Sequence, residues 1–76
     1  MKINKTSKDY RKLNDFIRNT MRKEKVSQKD MAYRLGIDQC GISKRLSGTT
    51  DWTMWEIINV FDILGVKFEY KEREEQ

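Results

Sequence analysis

Residues 31–49, "MAYRLGIDQCGISKRLSGT", set two short amphipathic stretches on either side of a single glycine. Helices shorter than about 12–15 residues are marginal in water by themselves, so each stretch depends on its packing. Ser27 opens the first, with Asp30 three residues on as a weaker form of the reciprocal cap. Val26 and Met31 are placed to staple across that cap. Met31, Ala32 and Leu35 make the inner face, and Gly36 suits a left-handed C-cap. Asp38 caps the second stretch, Gln39 to Ser47, whose inward residues are Ile42 and Leu46 and which Gly48 closes. Gly41 inside it costs about 1 kcal/mol relative to alanine. Gln39, Cys40, Ser43 and Lys44 fall on the opposite side, polar or small and uncommitted to packing.

Upstream, Thr6 or Ser7 can cap a helix over residues 8–24, with Asp9 in its first turn to suit the helix dipole. Its expected buried stripe is Leu13, Phe16, Ile17, Thr20 and Met21, at steps of three and four. Downstream, "WTMWEIINVFDILG" (residues 52–65) is the strongest helix signal in the chain. Thr53 and Glu56 form a full capping box, Trp52 and Ile57 a staple, and Gly65 the stop. Met54, Ile57, Ile58, Phe61 and Leu64 read as one face, with Trp55, Val60 and Ile63 partly off it. A helix apolar nearly all round is either deeply buried or in contact with another chain. "VKFEYKE" then alternates, with Val66, Phe68 and Tyr70 on one side, and predicts a strand over 66–71. That strand would pair either with the arm around Ile3 or with its own copy in a second subunit.

The expected organisation is a basic N-terminal arm (1–7), a helical domain (8–65), the strand as a possible dimerisation element (66–71) and a charged tail (72–76). Seventy-six residues make at most one small domain. Apolar runs are too short for a transmembrane span or signal-peptide core, which points to a cytoplasmic protein. Cys40 is the single cysteine and histidine is absent, so no disulfide, cysteine-based metal site or histidine base is available. No metal, cofactor or catalytic residue is expected. Charge is segregated: residues 1–48 hold 13 Lys/Arg against 5 Asp/Glu, and residues 49–76 hold 3 against 7. The halves therefore carry +8 and −4 of the net +4, a basic region able to meet polyanions and an acidic end that is not.

Two short helices joined by a tight glycine turn have the geometry of a helix-turn-helix, in which the first helix braces the second so that it projects. A projecting helix fits the major groove of DNA, its first residues meeting base edges. Residues 27–48 resemble the Cro/CI-type (XRE-like) helix-turn-helix family of phage repressors and bacterial, including antitoxin-like, regulators. The resemblance rests on Ser27-Gln28, Met31-Ala32, Leu35-Gly36-Ile37 and Ile42-Ser43, continued by Ile57, Val60, Phe61 and Leu64-Gly65-Val66. It covers about residues 10–67 and departs from the family pattern at Arg45 and Phe61, where an apolar residue and an alanine are usual.

The resemblance implies a mainly α, lambda-repressor-like bundle of four to five helices and a transcriptional regulator, a repressor that occupies a near-palindromic operator as a homodimer. Helix 39–47 would then read double-stranded DNA. Gln39, Cys40, Ser43 and Lys44 are the candidate base contacts, with Gln39 able to pair bidentately with adenine. Ser27, Gln28, Lys29, Arg45, Ser47 and Thr49 are the candidate phosphate contacts, although Arg45 could equally salt-bridge Asp38 or Asp51. Trp55, Ile63, Phe68 and Tyr70 are the candidate dimer surface, or else they complete a small core. The rival reading is a protein-binding adaptor, or the partner of a cognate toxin, that uses the apolar C-terminal surface.

Overall fold

A computed structural model describes residues 8–68. Four helices follow one another along the chain: α1 (Lys8–Glu24), α2 (Gln28–Leu35), α3 (Gln39–Ser47) and α4 (Met54–Leu64). Helix α2 packs against α3 and α4, and α1 packs across α3 and α4. There is no strand among the described residues: 66–68 are not in a strand, while 69–71 of the expected strand, Tyr70 included, lie outside them.

Local chemistry sets the helix ends. The Ser27 hydroxyl accepts from the Asp30 N–H at 3.0 Å, and the Asp30 carboxylate turns instead to Arg34, 3.4 Å away. Only half of the reciprocal cap therefore forms at α2. The Asp38 carboxylate accepts from the Gly41 N–H at 2.6 Å. At α4 both halves form, with Thr53 Oγ1 accepting from the Glu56 N–H and Glu56 Oε1 accepting from the Thr53 N–H, each at 3.0 Å. Gly36 sits at φ 73°, and its N–H and that of Ile37 return to carbonyls at the end of α2, which folds the chain straight into α3. Helix α1 ends on Lys25 at φ 59°, a left-handed residue without the freedom of glycine.

The core is Ile17 and Met21 of α1, Met31 and Ala32 of α2, Ile42 and Leu46 of α3, and Ile57, Val60 and Leu64 of α4, with Trp52 from the loop. Two helices keep most of the stripe expected of them, with Leu13, Ile17 and Met21 of α1 and Ile57, Phe61 and Leu64 of α4 toward the core, and differ at the edges. In α1 the fully buried line is Asn14, Ile17 and Met21, while Phe16 is 44% exposed with its ring tilted against that of Phe61 at 5.9 Å between centroids. The buried Trp52 indole N–H donates to Asn14 Oδ1 at 2.7 Å, which gives the inward asparagine a partner. In α4 the buried line is Ile57, Val60 and Leu64, with Val60 fully enclosed, whereas Met54 and Ile58 are exposed. An apolar helix carries several lines of three-and-four spacing, and packing selected the one through Val60.

Candidate functional site

The two helices flanking Gly36 present their free surface in one short run of chain. On α3, Gln39, Cys40, Ser43 and Lys44 are all exposed, Gln39 as the first residue of the helix, while Ile42 and Leu46 are buried. None of those four side chains is engaged by another described residue. The helix thus divides into a packed face and a bare one. Its two glycines serve different ends. Gly36 makes the sharp entry turn, and Gly41 makes room for its cap, since a Cβ there would lie 2.8 Å from Asp38 Oδ1 and 3.1 Å from Arg45 Nη1.

Around this face stand the other polar candidates. Ser27 is committed to its cap, Gln28 is half-buried at the start of α2, and Lys29 is exposed. Ser47 Oγ donates to the Lys44 carbonyl at 3.0 Å and lies 3.0 Å from Thr49 Oγ1, so both hydroxyls sit together just past the end of α3. Neither Lys29 nor Lys44 has an ion-pair partner among the described residues. Backbone N–H groups at the start of α2 and the positive end of its dipole favour an anion beside Gln28.

Arg45 does not belong to the open face. Its Nε donates to Glu56 Oε1 at 2.9 Å and its Nη2 to Glu56 Oε2 at 3.1 Å, with both side chains largely buried. Arg45 does form a salt bridge, but to Glu56 and not to the expected Asp38 or Asp51. The Arg45 hydrogen bonds hold the Glu56 carboxyl below the usual carboxylate range, aided by the Thr53 N–H and opposed by partial burial. A second guanidinium holds the far end of α3: Arg18 of α1 donates to the Leu46 carbonyl at 2.6 Å and is itself steadied by Asp15 at 2.6 Å. Sequence reading missed both anchors, because their partners lie 11 and 28 residues away.

The expected dimer residues divide. Trp55 is 74% exposed, and Met54 (67%) and Ile58 (38%) extend the same apolar surface along α4. Ile63 and Phe68 instead pack against the chain's own core, with the Phe68 ring edge-on to Phe61 at 5.2 Å. Tyr70 lies outside the described residues. Among the described residues there is no cluster of acidic, cysteine or histidine side chains able to hold a metal, and no helix is long and apolar enough to cross a membrane. Cys40 is a free, exposed thiol. Comparison with family models, with curated proteins and with solved structures gives no match for this chain.

Proposed function

We propose that this chain is a cytoplasmic, sequence-specific double-stranded DNA-binding regulator of transcription, a repressor of the Cro/CI type built on a helix-turn-helix of α2 and α3. The observation that carries the reading is the bare surface of α3: four side chains suited to base edges, unengaged, on a helix tied to α1 by Arg18 and to α4 by its own Arg45. A helix of nine residues held rigidly by its other face is a suitable probe for a groove about 12 Å wide. In this reading Gln39 pairs with adenine and Ser43 and Lys44 follow it along the groove, while Cys40 sits against a thymine methyl group. Gln28, Lys29, Ser47 and Thr49 meet phosphates, Ser27 keeps the α2 N-terminus in shape beside one, and Arg45 acts from behind.

One such domain gathers few phosphate contacts, so binding as a two-fold dimer follows, with recognition helices about 34 Å apart on the duplex. The exposed Met54, Trp55 and Ile58 surface supports α4 as the contact between copies. The same surface also favours a second reading, an adaptor that binds another protein, such as a cognate toxin, with DNA incidental. Selection of bound duplexes from a random library separates the two. A recovered near-palindrome, with affinity falling by about 0.9 in log K per log salt for each phosphate contacted, supports the regulator. A pool that never converges, with binding indifferent to salt, supports the adaptor.

A further inference from the structure

Arg45 stands on the helix proposed to read DNA, yet its guanidinium points into the protein. At about 100° per residue it lies about 200° around the axis from Ser43, on the far side from the bare face. Two of its nitrogens grip both oxygens of Glu56, and the third, Nη1, donates to the Gly41 carbonyl at 3.0 Å. Glu56 in turn accepts from the Thr53 N–H, and the Gly41 N–H reaches the Asp38 cap. The connected series Thr53–Glu56–Arg45–Gly41–Asp38 therefore ties the first turn of α4 to the first turn of α3, next to Gln39. Charge and geometry both matter in such a link, because a bidentate guanidinium–carboxylate pair fixes direction as well as distance.

We propose that Arg45 is a positioning residue for base reading: paired with Glu56, it sets the rotation of α3 about its axis and touches no DNA itself. The proposal rests on the regulator reading above. The leverage is simple. A rotation of about 20° moves an atom some 6 Å from the helix axis by about 2 Å, enough to break a base contact that tolerates only about 2.7–3.2 Å. Loss of the pair therefore removes discrimination between sequences while leaving general attraction to phosphates in place.

The test uses the full chain, the duplex that it selects from a random library, and a scrambled duplex of equal length. Glu56→Gln keeps the capping box, since glutamine can fill that position, but removes the charge. Arg45→Met removes the guanidinium, with Arg45→Lys in its place should the methionine variant not fold. Expected for these variants is a loss of about tenfold in the ratio of selected to scrambled affinity, with an unchanged salt slope on the scrambled duplex. Amide residual dipolar couplings without DNA should show α3 turned relative to α1 in Glu56→Gln. Equal losses on both duplexes with a smaller salt slope in Arg45→Met would mean that Arg45 contacts phosphate, and would overturn the proposal. An unchanged ratio, or unchanged couplings, would reduce the pair to a stabilising contact and overturn it too. Failure of the wild-type chain to select any sequence would instead defeat the regulator reading, and this proposal with it.

Discussion

The hydrogen bond between Trp52 and Asn14 makes the packing account quantitative. Asn14 is 4% exposed and Trp52 8% exposed, and the indole N–H to Oδ1 distance is 2.7 Å. Replacing Asn14 by leucine keeps the branched outline of the side chain but leaves the indole N–H buried without an acceptor, a penalty of about 1–3 kcal/mol. In a domain of this size each kcal/mol lowers the melting temperature by about 4–8 °C, so a fall of several degrees is expected. Trp52→Phe makes the converse defect, leaving the asparagine oxygen unanswered and giving up indole packing. The double variant replaces both polar partners by apolar groups, so its loss should be smaller than the sum of the singles by about 1 kcal/mol or more. Urea denaturation followed by far-ultraviolet circular dichroism on the four proteins reads this directly. Single losses that add to within about 0.3 kcal/mol would refute the claim that the two buried side chains depend on each other.

Three further outcomes follow from local geometry. Lys25→Gly should raise stability by about 0.5–1 kcal/mol, because glycine adopts the left-handed cap at φ 59° without the steric cost lysine carries; an unchanged or lower midpoint in the same urea assay counts against it. Gly41→Ala should fail to give the gain of about 1 kcal/mol that helix propensity alone promises, because its Cβ would press on the Asp38 carboxylate that caps α3. The gain should reappear in an Asp38→Ala background, and its presence in the wild-type background would contradict the geometry. Stability should also carry an acid limb from Glu56. Its folded carboxyl is held below the ordinary value of 4.5, so its contribution is complete above that value and is lost as the pH falls through the lower, folded one. Melting profiles of wild type and Glu56→Gln from pH 7 to pH 3 should converge on acidification; parallel profiles would refute the link.

Much of this was written locally in the sequence. Ser27, Asp38 and Thr53 open α2, α3 and α4 where their side chains predict, and Gly36, Gly48 and Gly65 close them. A cap acts within four residues, so nearby chain suffices to read it. The exposed surface of α3 was legible for the same reason, since the apolar positions 42 and 46 mark its buried line. The edges of the buried stripes were less legible. In α4 the lines through Ile58 and through Val60 are both apolar, and only contact with the other helices distinguishes them. In α1 the partner of Asn14 lies 38 residues away. Arg45 shows the limit most clearly: its place on α3 suggested phosphate, and its actual partner, Glu56, had already been assigned to the cap of α4. One carboxylate serving two helices leaves no local pattern.

The claim on which the functional account depends is that α3 reads base edges with Gln39 in its first turn. The measurement that addresses it most directly is the affinity of wild type and Gln39→Ala for the selected duplex, for each of its single base-pair variants and for random DNA. The account predicts a loss of about 1–3 kcal/mol on the selected site and a collapsed preference at one base pair per half-site, with random DNA bound as before. Equal weakening on every duplex, with all preferences intact, would show that Gln39 reads no base and that the bare face of α3 is not the probe.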